Sequence, residues 1–327
     1  MANPGLSELA TMTLRNRSGI LRDNVTENVM LLKRLNEKGN VKPADGGRTI
    51  IQEMEYAENS TYTRFSGYET INITPSDVFT AAEFNWSQAA GAVTISGLER
   101  IQNSGSGKSI DLLKSRIKNL EKTLQNNVGA DTYSDGTADG GRQIGGLQLL
   151  VSSTPTTGTV GGIDRSTTAG TFWRNKVYKA TTDGGAAATS ANIVSYMNRL
   201  WVQLTRNKEK PDLILADNNY FLLYLEAMQG KQQIMVNSSL ADAGFQNLKF
   251  NGADVVLDGG YGGSCPSNTM YFLNSDYLYW RPHPDYNFTV LGGERESTNQ
   301  DAMVKLVGVA GQMTMSNAFM QGVLINT

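Results

Sequence analysis

Residues 109–127 read SIDLLKSRIKNLEKTLQNN, and the spacing of their apolar members decides what kind of chain this is. Ile110, Leu113, Ile117, Leu120 and Leu124 recur at alternating intervals of three and four, the repeat of one helical face. The spacing predicts a helix over 109–127, about 28 Å long at roughly 1.5 Å per residue, the longest rod in the molecule. Lys114, Lys118 and Lys122, each four residues on, flank the stripe on one side, with Lys108 behind them. Solvated lysines on an ordinary amphipathic helix account for this flank, and so does a helix that meets an acidic partner.

Immediately before the helix stands Gly105-Ser106-Gly107-Lys108-Ser109, which looks like a phosphate-binding loop. That motif needs a glycine five positions before Gly107, where this chain has Gln102. A flexible hinge with Ser109 as N-cap explains the same residues, and a nucleotide-binding enzyme built on 105–109 is left as a remote alternative. Further upstream, 48–95 has the texture of strands, with β-branched and aromatic residues in short runs separated by Glu58-Asn59-Ser60 and Pro75-Ser76-Asp77. Arg48 and Arg64 stand there against Glu53, Glu55, Glu58, Glu69, Asp77 and Glu83, two positive and six negative side chains. The segment holds no lysine. Tyr56, Tyr62, Phe65, Tyr68, Phe84 and Trp86 are more aromatic surface than a two-stranded ribbon hides by itself, so this acidic hairpin needs a partner surface, its own body or a neighbouring subunit. Residues 1–47 read as an arm with two short helices, the second carrying Val25, Leu31, Leu32 and Leu35 and stopping at Gly39. Its basic residues, among them Arg15, Arg17, Arg22, Lys33, Arg34 and Lys38, outnumber its acidic ones, which fits either a solvated face or a phosphate-facing or subunit-facing arm.

Downstream of Asp131 a stretch rich in Gly, Ser and Thr runs to Gly185, punctuated by Phe172, Trp173 and Tyr178, and reads as elaborate surface loops. Alternating signals then return: a helix over 190–204, a strand over 213–215, a helix over 219–228, and strands over 255–257 and 270–280. Residues 302–325 alternate apolar and polar as a closing sheet.

Composition narrows the function classes. Of 327 residues 39% are hydrophobic, enough for a substantial core. A net charge of -2 marks no global nucleic-acid binder, so any contact with nucleic acid is local. One cysteine, Cys265, excludes an internal disulfide framework and a cysteine-based zinc cage, and reads as an idle thiol. The one histidine, His283, lies between Pro282 and Pro284 with no elbow or metalloprotease motif to give it a partner, and reads as structural. Glu53 and Glu55 fall on one face of a strand but lack an enclosed, pKa-shifting pocket, and read as interface charges. No catalytic residue, cofactor site or metal site is expected. No stretch approaches the roughly 18 apolar residues of a membrane span, and no basic n-region with an apolar h-region opens the chain.

The order of parts resembles one family over nearly the whole chain: arm, acidic hairpin, glycine hinge, long helix, loop insertion, α/β half, closing strands. It is similar to the major capsid proteins of tailed bacteriophages, the Hong Kong ninety-seven fold. Local strings match podovirus-type coat proteins as well: Leu14-Arg15-Asn16-Arg17-Ser18-Gly19, Tyr56-Ala57-Glu58-Asn59, Phe65-Ser66-Gly67-Tyr68-Glu69, Tyr133-Ser134-Asp135-Gly136-Thr137, Gly161-Gly162-Ile163-Asp164-Arg165 and Asn299-Gln300-Asp301-Ala302. The resemblance implies an α+β chain with an N-terminal arm (1–47), an extended β-hairpin loop (48–95) and a peripheral domain with a long spine helix and loop insertion (96–185). An α/β axial domain (186–298) follows, with C-terminal strands returning to the peripheral domain (299–327).

It further implies a structural subunit that self-assembles into pentamers and hexamers of an icosahedral head around double-stranded DNA. Such a protein is assembled in the host bacterial cytoplasm, resides in the virion, and works with portal and scaffolding proteins and, in some shells, a decoration protein. An isopeptide lock from an extended-loop lysine is not expected here, nor is a cleaved N-terminal scaffolding segment. On this reading Tyr62, Phe65, Tyr68, Phe84, Trp86, Glu53 and Glu55 make inter-subunit contacts, and Arg15, Arg17, Arg22, Lys114, Lys118 and Lys122 face the lumen and its DNA. The alternative within the same fold is an encapsulin-like bacterial nanocompartment shell, which encloses enzymes in place of DNA.

Overall fold

The computed structural model describes residues 29–102, 106–229, 247–259, 263–296 and 301–327. Helix α1 (Met30–Glu37) is followed by strands β1 (Thr49–Glu55), β2 (Phe79–Asn85) and β3 (Ser87–Ser96), a short helix α2 (Gly97–Gln102) and the long helix α3 (Ser106–Asp131). The insertion carries β4 (Thr159–Val160) and β5 (Ile163–Asp164), and β6 (Lys176–Lys179) leaves it. Then come α4 (Ile193–Leu204), β7 (Leu213–Ala216), α5 (Asn218–Gln229), β8 (Asn247–Phe250), β9 (Ala253–Leu257), β10 (Thr269–Leu273), β11 (Leu278–Glu296), β12 (Ala302–Met315) and β13 (Gly322–Ile325).

The apolar stripe of α3 does what its period requires: Ile117, Leu120 and Leu124 are buried, and Val128 extends the row by one more step. That extra step carries the helix to Asp131, past its expected end at 127. At the other end Ser109 is not the N-cap. Gly107 and Lys108 are wound into the first turn, where the ~1 kcal/mol cost of a helical glycine is outweighed by the added hydrogen bonds. The helix lies on β3, where Gly91 permits close approach: a Cβ there would meet Leu120 Cδ1 at 2.2 Å. β3 pairs antiparallel with β12, and β12 with β11, so the spine rests on a three-stranded sheet.

The second half is a six-stranded mixed sheet in the order β6-β13-β10-β7-β9-β8. Alternation divides its faces. Ile214, Ala216, Val255, Met270, Phe272 and Leu324 pack under α4 and α5, while Leu213, Leu215, Val256, Tyr271, Leu273 and Val323 join the core of the spine layer. β8 and β9 are joined by Asn251-Gly252, both at positive φ (49° and 93°), the two-residue turn that matches strand twist. Asp217 caps α5, its carboxylate accepting from the Tyr220 and Asn268 amides at 2.9 and 2.7 Å.

Three expectations change. The helix over 30–37 packs into the body instead of belonging to an arm, because Met30, Leu31, Leu32 and Leu35 are buried in the main core and Arg34 reaches Asp254 (2.5 Å) and Asp212 (3.7 Å). The run 270–280 is broken at Ser275–Tyr277, a turn capped by the Asn274 side chain. The closing strands divide between the sheets: β12 lies beside β3, and β13 enters the six-stranded sheet between β6 and β10 instead of returning to the spine layer.

Candidate assembly surface

β1 and β2 form an antiparallel pair whose two faces differ sharply. Ile50, Gln52, Met54, Ala82 and Phe84 point inward and are buried, whereas Ile51, Glu53, Glu55, Phe79 and Glu83 point out to solvent. The root of the pair is pinned to the body by Gln52, whose Oε1 accepts from Arg281 Nη2 (2.8 Å) and Thr314 Oγ1 (3.3 Å). The insertion clamps it from the side: the Glu83 amide donates to the Gly161 carbonyl at 2.9 Å. Gly161 sits at φ +58°, and a Cβ there would come within 2.7 Å of Ala82 Cβ, so this contact needs glycine.

Between the strands, residues 57–78 form a long loop with no strand of its own, shaped by side-chain turns such as Asn59 Oδ1 with the Thr61 amide (2.9 Å). Tyr62 is 81% exposed, Phe65 60%, and Tyr68 is fully exposed, with Ile71 and Ile73 also in solvent. Tyr62, Phe65 and Tyr68 are among the sequence-predicted contact residues, and no described residue of the subunit covers them. Phe84 is a correction. Strand parity turns it into the core at 4% exposure, so it stabilises the subunit and is not a contact to a neighbour. Trp86 is half-buried against the same core and donates Nε1–H to the Gly47 carbonyl at 3.0 Å, so the body takes up only part of its surface. Ile51 and Phe79 belong to the outward surface and were missed. Their signal was present in the alternation of Ile51 with Glu53 and Glu55.

Lys118 and Lys122 are both exposed on α3. Lys114 lies in the same helix where only the backbone is described, and Arg15, Arg17 and Arg22 lie outside the described residues. The chemistry elsewhere is quiet. His283 packs edge-on between Trp86 (5.6 Å) and Tyr286 (5.5 Å), its Nδ1 accepting from the Asp285 amide at 3.2 Å. Burial pushes the Cys265 thiol far up, away from the reactive thiolate. Among the described residues no three or more His, Cys, Asp or Glu side chains gather as a metal-holding group, and no helix is long and apolar enough to cross a membrane.

One half-buried carboxyl joins the two layers. Tyr133, just past the end of α3, donates its hydroxyl to Asp258 at the end of β9, and burial pushes Asp258 up to about 6 from 3.8, against the pull of that hydrogen bond. A carboxyl whose folded pKa is raised is destabilising when charged, so this penalty is complete above about pH 6, shrinks as pH falls, and is gone below 3.8. Between pH 7 and pH 5 the chain is expected to regain about 1 kcal/mol at this group. Asp258→Asn removes the effect, so the stability gap between variant and parent should narrow by that amount between pH 7 and pH 5. A gap in urea midpoint that stays constant over that range overturns the assignment.

No family model matches the sequence, and no curated protein matches it. Solved structures do. The chain superposes on the cyanophage A-1(L) capsid asymmetric unit with a TM-score of 0.66 at 16% identity, over 88% of this chain and 90% of that one. This is the tailed-phage major capsid fold. The same capsid fold is found in the capsid of Myoviridae phage XM1 (TM-score 0.52, 11% identity, 90% of this chain and 92% of that one). It is found again in the satellite phage P4 procapsid that includes the size determination protein (TM-score 0.51, 12% identity, 100% and 92%). Capsid chains at this distance share architecture and little sequence, which is why the order of elements was the informative signal.

Proposed function

We propose that the chain is the major capsid protein of a tailed bacteriophage, assembling in the host cytoplasm into pentamers and hexamers of an icosahedral head that packages double-stranded DNA. One observation carries the reading: a subunit with the capsid fold over about nine-tenths of its length holds out the 57–78 loop with three large aromatic side chains that no described residue of the subunit covers. In this reading the β1–β2 pair and its loop are the extended loop, α3 is the spine, and the six-stranded sheet with α4 and α5 is the axial half. The outward acidic face (Glu53, Glu55, Glu83) and the loop aromatics lie over a neighbouring copy, and many modest symmetric contacts hold the shell. No enzymatic step belongs to this role. Portal and scaffolding proteins are the further partners.

Electron microscopy of the purified protein, over a range of salt and with scaffold supplied, tests this directly. Rings or closed shells are expected, and a strictly monomeric protein at high concentration overturns it. Particles recovered from cells should show the ultraviolet absorbance ratio of packaged DNA. Protein cargo without DNA assigns the nanocompartment role instead.

Lys118 and Lys122 face the lumen in this reading, making sequence-independent, salt-sensitive contacts to phosphate. Lys118→Glu is expected to leave empty shells intact and to weaken only the retention of DNA, with no change in subunit melting because the side chain is exposed. If the variant fails to form shells, and a Glu→Lys change at Glu53 or Glu55 restores them, Lys118 is an interface residue.

A further inference from the structure

The β1–β2 pair has one clamped edge and one bare one. On β2 the Glu83 amide donates outward to the Gly161 carbonyl, so Glu83 and Ile51, directly opposite in the register, do not bond each other. In an antiparallel pair such positions alternate. Ile51, Glu53 and Glu55 therefore turn their amides and carbonyls away from β2, to the outer edge of β1. Among the described residues only the Gln52 side chain meets these groups, donating to the Glu53 carbonyl at 3.2 Å. Beside this edge lies a groove of about 960 Å³, with Glu53, Glu55 and Glu58 on one wall and Arg206, Glu209 and Tyr277 on the other. The edge is an open template for one more strand, with space in which to seat it.

The charges restrict what that strand can be. Two β1 edges paired with each other would set Glu53 and Glu55 against like charges, which is destabilising. The incoming strand must carry basic side chains two positions apart, so that both fall on the face that Glu53 and Glu55 share. Arg15 and Arg17 have that spacing, in Thr13-Leu14-Arg15-Asn16-Arg17-Ser18, a run without Gly or Pro. The other basic residues spaced by two are wound into α3 (114, 116 and 118), lead into β6 (Arg174 and Lys176) or occupy the turn after α4 (206, 208 and 210). Residues 13–18 precede the described chain, which begins at Val29, and the eleven steps from Ser18 to Val29 span up to about 36 Å.

We propose that residues 13–18 of a second copy add as a strand to the outer edge of β1, with Arg15 and Arg17 beside Glu53 and Glu55. The inference rests on the capsid reading and deepens it. Edge and strand are different surfaces, so the contact is head-to-tail, the class that builds rings of subunits. It turns these two arginines to a neighbouring subunit and not to DNA.

The test uses the full chain in assembled particles. Glu53→Cys is combined with Arg17→Cys for an antiparallel strand and with Arg15→Cys for a parallel one, since residues directly opposite lie within disulfide reach. Burial pushes the native Cys265 thiol up, which keeps it out of the exchange. After mild oxidation one of the two pairs is expected to link chain to chain, giving multimers larger than dimers on a non-reducing gel and a linked peptide that joins the two positions. In a second arm, Glu53→Lys with Glu55→Lys should leave subunit melting unchanged, both side chains being exposed, and raise the concentration needed for assembly at least about tenfold. Adding Arg15→Glu with Arg17→Glu should restore it. Particles in which neither pair links, a link that forms within one chain, or a charge reversal that the second reversal does not rescue overturns the proposal and leaves the capsid reading standing. A parent protein that never assembles defeats the capsid reading, and this inference with it.

Discussion

The triple variant Tyr62→Ala, Phe65→Ala, Tyr68→Ala is expected to melt with the parent subunit and to form no shells. In the free subunit these side chains are 60% exposed or more, so removing them changes its stability by no more than about 0.5 kcal/mol. Between copies the arithmetic differs. A large aromatic buried at an interface typically costs about 2 kcal/mol or more when truncated, and every subunit contributes one such loop. Three losses of that size, at about 1.4 kcal/mol per tenfold, raise the concentration needed for assembly by roughly four decades. Light scattering during assembly and calorimetry of the unassembled subunit read the two expectations separately. Phe84→Ala is the internal contrast: it opens the buried side of the same hairpin and should lower subunit stability by roughly 3–5 kcal/mol. Shells from the triple variant at the parent's concentration overturn the interface assignment. A fall in its subunit melting temperature places the aromatics in the core.

The second large effect is expected at Arg34. Its side chain is 15% exposed and its main partner, Asp254 on β9, only 7% exposed. Removing the arginine strands a carboxylate inside the protein, a loss of about 3–5 kcal/mol in comparable buried pairs. Arg34→Ala should therefore shift the denaturant midpoint strongly, and adding Asp254→Asn should recover much of the loss because the stranded charge is gone. Additive losses in the double variant would show that the two side chains stabilise the fold independently.

The spine was legible because a helix writes its contacts into its own period: Ile117, Leu120 and Leu124 are neighbours in space and nearly so in sequence. The same holds for α4 and α5 on their sheet. What was not legible depends on partners far along the chain. Arg34 and Lys38 read as charges of a solvated, phosphate-facing or subunit-facing arm, since Asp254 and Asp276 lie 220 and 238 positions away. Phe84 was grouped with Tyr62, Phe65 and Tyr68 because composition alone does not reveal where strand ends and loop begins, and strand parity alone sends Phe84 inward. Residues 302–325 read as one alternating sheet, since β12 and β13 carry similar patterns while belonging to different layers. Nothing in the sequence signalled that Arg165 is fully buried. It sits among glycines, serines and threonines, where an arginine is ordinarily solvated.

The place of β13 governs when the molecule can be finished. It lies between β6 and β10, parallel to one and antiparallel to the other, with Leu324 fully buried. A ribosome adds about 5–20 residues per second, so roughly seven to thirty seconds separate the synthesis of β6 from that of β13. Through that interval β10 presents an open edge, and β6, an edge strand of the finished sheet, has no strand to pair with. A nascent chain stopped short of residue 322 leaves β6 unpaired and the β10 edge open. The six-stranded sheet is therefore completed only by the strand synthesised last among its six.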